Sequence, residues 1–145
     1  RQRQMCNKRQ GEESIEPFIS NSSKGAYVLC RTSNKSSTFI QEEIYSKVIS
    51  LCEALNNQQN IGLVVGATND DALMQVRNST DLPFLIPGIG AQGGDLQSVL
   101  KINENSMDTT LINVSRGIIF TGNKDHDSIR NSAKQYLNQL RGLNG

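Results

Sequence analysis

From Gly25 onward, short runs with the composition of buried strands alternate with stretches in which apolar residues recur at helical spacing. The strand-like runs are AYVLCRTS, IGLVVGAT, PFLIPGIG and TTLINVS, and the helix-like stretches that follow them begin near Gln41, Asn69, Asp95 and Asp127. This order predicts parallel strands joined by right-handed crossovers, because each helix must return the chain to the edge from which the next strand starts. We therefore expect an α/β fold with four βα units and no spare strand.

The helical stretches are amphipathic, and their apolar stripes predict which residues face the sheet. The stripes are Ile44, Val48, Leu51, Cys52 and Leu55 in the first helix, and Ile129, Ala133, Tyr136, Leu137 and Leu140 in the last, over residues 127–141. Asn69 or Asp70 is the expected cap of the second helix. Four such units form either an open doubly wound sheet or half of an eight-unit barrel, and their spacing does not choose between the two.

Composition excludes few kinds of function. The chain has 145 residues, of which 36% are hydrophobic and 20% charged, with a formal net charge of +1, so it has no electrostatic bias toward nucleic acid or anionic membranes. Its apolar runs are all shorter than the roughly 18 residues of a membrane-spanning helix. Residues 1–24 are mostly polar, so we expect them to form a solvated N-terminal arm and the segment that precedes the first strand. We expect residues 25–145 to form one compact domain.

The three cysteines, Cys6, Cys30 and Cys52, cannot all pair with one another. Cys30 and Cys52 fall within apolar strand or helix patterns, where a free thiol packs as a small hydrophobic group. The sequence also has no signal peptide with a charged start and an apolar stretch. These features predict a protein of the reducing cytoplasm.

The strongest local signal lies at residues 85–95, LIPGIGAQGGD, where four glycines and the amide side chain of Gln92 stand between a strand and a helix. Glycine allows the backbone to approach a ligand closely, and the amides at a helix start offer donors to an anion. The segment therefore indicates an anion-binding turn. A tight turn between a strand and a helix, without a ligand, is the plainer alternative.

The same segment satisfies the pattern G-x-G-x-x-G through Gly88, Gly90 and Gly93, which raises the alternative of a dinucleotide-dependent oxidoreductase. In a dinucleotide fold, however, the pattern follows the first strand, and an acidic residue ends the next strand. Here it follows the third strand, and the next strand leads into Ser115 and Arg116. The dinucleotide interpretation is therefore weak.

Polar residues also follow the last and the first predicted strands. Arg116 comes directly after the last strand, where a guanidinium can bind phosphate oxygens bidentately beside the glycine-rich segment, although a surface arginine is an equally ordinary use. After the first strand, the run Arg31, Thr32, Ser33 and Asn34 offers donors and acceptors to the edge of a polar ring, or forms a simple polar turn. Both groups are expected at the same rim of the sheet.

The single histidine, His126, lies before the last helix with no cysteine or second histidine near it in sequence. We therefore expect it to be exposed to solvent, and we expect no metal site.

Taken in order and spacing, GAYVLCRTSNKSS, GLVVGAT, LIPGIGAQGGD and INVSRGI resemble orotidine 5'-monophosphate decarboxylases of the bacterial and apicomplexan type. The resemblance runs from about Gly11 to the C-terminus, and P-G-I-G-A-Q-G-G-D is its most specific part. It implies a (β/α)8 barrel of which these four units are the fifth to the eighth. An isolated half of that barrel would leave two strand edges unpaired, so it should dimerise, misfold or need the missing half.

The resemblance also implies roles for residues of this chain. Gln92, with Gly90 in the same turn, would contact the phosphate and the O2 side of the pyrimidine. Arg116 would pair with the phosphate, and the amides of Ser115 and Arg116 would donate to it. Pro87 would lie against the ring, and Thr32 or Ser33 would read the pyrimidine amide edge. Many relatives carry glycine where this chain has Ser115.

The family decarboxylates orotidine 5'-monophosphate without a cofactor, in pyrimidine biosynthesis, through a network written D-x-K-x-x-D. That pattern does not occur in this sequence, and the nearest stretch, residues 124–127, lies in a polar loop. The resemblance thus implies a homodimeric enzyme to which this chain contributes the phosphate- and base-binding half, without the catalytic lysine. A non-catalytic module that binds nucleotide phosphate is the alternative from another class.

Overall fold

The computed structural model describes residues 11–32 and 38–142, and there it confirms the predicted alternation of strands and helices. The strands are β1 (Ala26–Arg31), β2 (Ile61–Val65), β3 (Phe84–Pro87) and β4 (Thr110–Asn113). The helices are α1 (Glu16–Ile19), α2 (Thr38–Leu55), α3 (Asp70–Ser79), α4 (Leu96–Ile102), α5 (Arg116–Ile119) and α6 (His126–Arg141). Two 3-10 helices, Glu12–Ser14 and Glu104–Thr109, join them. Cys6 and the first ten residues of the expected arm lie outside the described part.

The four strands form one parallel sheet in the order β1-β2-β3-β4. Each crossover therefore moves the chain one strand further in the same direction. A doubly wound sheet reverses this direction at a switch point, whereas a barrel never does. Of the two architectures that the sequence left open, the described strands and helices form half of a (β/α)8 barrel.

The helices cover one face of the sheet and leave the other accessible. On the covered face, Leu63, Phe84 and Ile86 are 0% exposed and form the centre of the core. On the opposite face, Tyr27 is 40% exposed and Leu111 is 54% exposed. We call this second side the uncovered face; strand alternation places on it Tyr27, Leu29, Val64, Leu85, Pro87, Leu111 and Asn113.

Side-chain caps fix where three of the helices begin. The Asn69 side chain accepts a hydrogen bond from the Ala72 amide at 3.0 Å, which confirms the first of the two predicted cap positions. Asp95 caps α4 by accepting from the Ser98 amide at 2.9 Å, and Asp125 begins α6 in the same way. The hydrogen bond from the Ser98 amide lowers the pKa of the Asp95 carboxyl.

The last helix, α6, is rotated relative to its predicted face. Ile129, Tyr136 and Leu140 are half-buried as expected, but Ala133 and Leu137 are exposed. The buried position is Ser132, whose hydroxyl donates to the carbonyl oxygen of Gly117 at 2.8 Å. The apolar stripe did not predict this orientation, because Ser132 is buried by a hydrogen bond to a residue distant in sequence and not by an apolar side chain.

Cys52 provides a test of the packing between α2 and the sheet. The thiol is buried, and burial raises its pKa from 9.0 to about 11, with a smaller contribution from the Glu53 carboxylate. Only the thiolate is nucleophilic, so we expect Cys52 to resist iodoacetamide at pH 8 in the folded protein and to react after unfolding. Peptide mapping by mass spectrometry reads the modification at each cysteine. Rapid labelling of Cys52 without denaturant would contradict this packing.

None of the helices that the structure describes is both long enough and apolar enough to span a membrane.

Candidate anion-binding site at the carboxyl ends of the strands

The glycine-rich segment forms a compact turn between β3 and α4, which we call the glycine turn (residues 88–94). Backbone hydrogen bonds within the turn stabilise it. The Gly90 amide donates to the Gly94 carbonyl at 2.9 Å, and the Gly94 amide donates to the Gly88 carbonyl at 3.1 Å. The backbone has positive φ at Gly88, Gly90 and Gly93, a region that side chains with a Cβ rarely adopt. The glycines are therefore needed for the shape of the turn itself.

The tip of the glycine turn carries hydrogen-bond donors that are not used inside the protein. Within the described residues, the amides of Ala91 and Gln92 donate to no backbone or side-chain acceptor. The side chain of Gln92 is exposed and makes no hydrogen bond there either. Two backbone donors and one amide side chain are thus available to an external acceptor.

A second turn follows β4 and consists of Ser115, Arg116 and Gly117; we call it the Ser-Arg turn. It overlaps the start of α5, whose first residue is Arg116, and the Ser115 carbonyl accepts from the Ile119 amide at 2.9 Å. Arg116 is exposed, and its guanidinium forms no ion pair with any acid of the described chain. The turn therefore presents an uncompensated positive charge with five N–H donors.

The two turns are neighbours. They follow adjacent parallel strands, with Pro87 directly opposite Asn113 in the last register pair of β3 and β4. Gly90 and Gly94 of one turn and Gly117 of the other line the same cleft of about 350 Å³. Residues of α6 also line this cleft. The structure thus brings the segment carrying Gln92 and the segment carrying Arg116 to one end of the sheet.

Pro87, the residue expected to lie against a ligand ring, ends β3 on the uncovered face and is half-buried. Asn113 stands opposite it on β4, and its side-chain amide lies 3.4 Å from the Ser115 hydroxyl. Pro87 therefore provides an apolar ring beside the two turns, on the side of the sheet that the helices leave accessible.

Thr32 lies at the same rim, after β1, and is held by a residue that the sequence did not single out. The Thr32 amide donates to the side-chain oxygen of Gln41 at 2.7 Å, and the Gln41 side-chain amide donates back to the Thr32 hydroxyl at 2.8 Å. Gln41 is only 8% exposed. Ser33 and Asn34, the neighbouring candidates, lie outside the described residues.

Arg31 does not offer donors at the rim of the sheet, as the sequence had suggested. The register between β1 and β2 shifts between Leu29 and Arg31, and this bulge turns Arg31 toward the covered face. Its side chain is 4% exposed, forms an ion pair with Glu42, and donates to the Gln75 side chain at 3.1 Å. A bulge is a tertiary feature without a clear sequence signal, so the position of Arg31 in the polar run did not predict that its side chain would be buried.

Other titratable groups give no second site within the part of the chain that the structure describes. No cluster of three or more His, Cys, Asp and Glu is arranged to hold a metal ion there. His126 begins α6 and is exposed as expected, with its ring 3.8 Å from the Asp127 carboxylate. Lys124 lies in the loop before α6, with its ammonium 5.5 Å from the centre of the Phe120 ring.

The sheet order also bears on the dinucleotide interpretation. The glycine turn follows β3 of a sheet whose order never reverses, so the switch point at which a dinucleotide fold binds its cofactor is missing from the described strands. The glycine turn therefore matches the pattern G-x-G-x-x-G without lying where a dinucleotide-binding loop would lie.

Comparison with known proteins identifies the family of the chain. The model of the orotidine 5'-phosphate decarboxylase / HUMPS family matches residues 6–128. A Halorubrum lacusprofundi protein named orotidine 5'-phosphate decarboxylase is 41% identical over 125 residues, which cover 77% of this chain and 45% of the relative. A protein of the same name from Dehalococcoides mccartyi is 41% identical over 139 residues, covering 86% of this chain and 52% of the relative. The chain thus spans about half the length of the curated relatives it matches.

Solved structures give the same result. The Leishmania donovani UMP synthase superposes with a TM-score of 0.81 at 38% identity, over 92% of this chain and 31% of that one. The Leishmania donovani OMP decarboxylase superposes with a TM-score of 0.78 at 35% identity, over 92% of this chain and 53% of that one. These matches do not assign a bacterial or apicomplexan type. The chain belongs to the orotidine 5'-phosphate decarboxylase / HUMPS family.

Proposed function

We propose that the protein containing this chain converts orotidine 5'-monophosphate to uridine 5'-monophosphate, and that the chain supplies the half of the site that holds the phosphate and the base. One observation carries the proposal: in the part of the chain that the structure describes, glycine-turn amides without an acceptor and an Arg116 without an ion-pair partner lie at the ends of adjacent strands. The printed names of the relatives supply the reaction.

The phosphate is assigned to the donors that the two turns present at this end of the sheet. Arg116 neutralises its charge and can contact two oxygens at once, while the amides of Ser115 and Arg116 donate to it. Gln92 also donates to it, and the positive φ of Gly90 gives the glycine turn the shape that presents Gln92. Charge-assisted hydrogen bonds from two elements hold a dianion more firmly than either turn could alone.

The base is assigned to the adjoining part of the uncovered face. Pro87 offers an apolar surface for the pyrimidine ring, and Gln92 reaches the O2 side of the ring. Thr32, whose amide and hydroxyl hydrogen-bond to the Gln41 side chain, is assigned to the amide edge of the pyrimidine, either by itself or together with Ser33. A ring held at both edges has one orientation, which fixes where the carboxylate at C6 points.

The lysine that protonates C6 must come from another part of the protein, since D-x-K-x-x-D does not occur in these 145 residues. The phosphate site still contributes to catalysis. Binding energy from a group remote from the reaction can organise the reacting centre, so the grip on the phosphate raises the rate as well as the affinity. In this arrangement the reaction uses neither a metal ion nor a cofactor.

The experiment is a decarboxylation assay of the complete protein, following release of carbon dioxide from orotidine 5'-monophosphate in the presence of a metal chelator. We expect turnover without added cofactor, and inhibition by uridine 5'-monophosphate. The missing D-x-K-x-x-D pattern favours one other function, a non-catalytic module. Binding of uridine 5'-monophosphate without any turnover would establish that module and contradict the decarboxylase.

We also propose that the protein acts in the cytoplasm as a homodimer. In the described part of the chain, Cys30 and Cys52 are buried thiols and not members of a disulfide, which fits a reducing compartment. Exposed apolar side chains, including Phe120 and Leu137, give subunits a surface to cover. The net charge of +1 gives no reason to expect nucleic acid as a partner. Light scattering of the complete protein measures the subunit number, and a monomer at micromolar concentration would contradict the dimer.

A further inference from the structure

The hydroxyl of Tyr136 lies between the two turns of the candidate site. A Cβ added to Gly90 of the glycine turn would be 2.5 Å from the Tyr136 Oη, and a Cβ added to Gly117 of the Ser-Arg turn would be 2.6 Å from the same atom. The Tyr136 hydroxyl oxygen is therefore the nearest atom to the position of an added Cβ on both glycines. The hydroxyl fills the space that separates their backbones.

Tyr136 is itself held in place by its helix. One turn earlier on α6, the Ser132 hydroxyl donates to the Gly117 carbonyl at 2.8 Å, and Asp125 caps the start of the same helix. The ring of Tyr136 is half-buried and packs against the core. α6 thus attaches to the Ser-Arg turn through Ser132 and reaches the glycine turn through Tyr136.

We propose that Tyr136 is a positioning residue for the phosphate site, setting the distance between the glycine turn and the Ser-Arg turn. This inference rests on the proposed function, because the donors assigned to the anion, at Gln92 and Arg116, belong to those two turns. Donors on two elements bind one phosphate well only at one separation, and a displacement of about 1 Å can reduce activity about 100-fold. Protein interiors are close-packed, so a single hydroxyl is enough to define that separation.

The test is a double-mutant cycle in the complete protein. Gly117→Ala places a methyl group against the Tyr136 hydroxyl at a position where the backbone φ is not positive, so the contact itself is the perturbation. Tyr136→Phe removes the oxygen and leaves the nearest ring carbon 3.4 Å from that methyl group, a tight but tolerable contact. We expect each single variant to weaken binding of uridine 5'-monophosphate about tenfold, and the double variant to bind within about threefold of the parent protein.

Gly93→Ala is the matched control. Gly93 lies in the same turn with φ +92, but an added Cβ there meets nothing within 4 Å. The alanine therefore strains the backbone without touching Tyr136. We expect Gly93→Ala to weaken nucleotide binding as well, and we expect Tyr136→Phe to give no rescue of this variant.

Two further measurements separate positioning from a general loss of stability. Uridine lacks the phosphate, so its dissociation constant should change less than twofold in every variant whose affinity for uridine 5'-monophosphate changes. Thermal unfolding reports stability independently. Equal losses for both ligands, additive effects of Tyr136→Phe and Gly117→Ala, or rescue of Gly93→Ala would each overturn the inference. Because the cycle reads binding, it remains decisive even if the parent protein proves to have no decarboxylase activity.

Discussion

Replacement of Arg116 by alanine in the complete protein is expected to lower kcat/KM for orotidine 5'-monophosphate by about 30- to 5,000-fold. Removing one partner of a charge pair that is desolvated on binding costs about 2–5 kcal/mol, and about 1.4 kcal/mol corresponds to a factor of ten. The loss should appear in kcat as well as in KM, because the phosphate contacts help to organise the reacting centre. Steady-state kinetics at several substrate concentrations measure both constants.

Arg130→Ala is the matched control for Arg116→Ala. Arg130 is an exposed arginine of α6, and its removal changes the net charge of the chain by the same amount. We expect kcat/KM to stay within about twofold, since a surface charge without a partner contributes little. Equal kinetics for the Arg116 variant and the parent protein would remove Arg116 from the phosphate site, while equal losses in both variants would reduce its role to general electrostatic attraction.

Phe84→Ala should have the largest effect on stability. Phe84 is 0% exposed at the centre of the core, and the Arg77 guanidinium stacks on its ring at 3.4 Å from the centroid. Truncation of a buried phenylalanine leaves a cavity and typically costs about 3–5 kcal/mol of the free energy of unfolding. Here it also removes the ring beneath a partly buried cation. Urea denaturation of the complete protein measures the change.

Phe84→Leu keeps most of the apolar volume and should cost distinctly less than Phe84→Ala. The two variants together separate the loss of packing from the loss of the aromatic face under Arg77. If Phe84→Ala were destabilised by less than about 1 kcal/mol, the packing of the four strands against their helices would be wrong.

The sequence was sufficient to predict the fold class because local patterns carry that information. The alternation of IGLVVGAT-like runs with amphipathic stretches depends only on residues close together in the chain, and the Asn69 cap is equally local. The choice between an open sheet and half a barrel depends on strand order, which is a long-range property. From residues alone it stayed open, and the resemblance to a family supplied the answer.

The candidate site was predicted in outline for the same reason. The glycine turn and Arg116 follow strands directly, so parallel strands bring them to one end of the sheet. What the sequence did not reveal depends on tertiary contacts. The bulge that turns Arg31 away arises from the pairing of β1 with β2, and the hydrogen bond that buries Ser132 is to Gly117. Both contacts are between segments distant in the chain. The tyrosine on α6 looked like an ordinary core residue, and only the backbone positions of Gly90 and Gly117 show what its hydroxyl touches.

A crystal structure of the complete protein with bound uridine 5'-monophosphate tests the central claim most directly. We predict phosphoryl oxygens within hydrogen-bond distance of both the Gln92 side chain and the Arg116 guanidinium, with the pyrimidine over Pro87. A nucleotide whose phosphate lies elsewhere, with neither residue contacting it, would contradict the assignment of this end of the sheet.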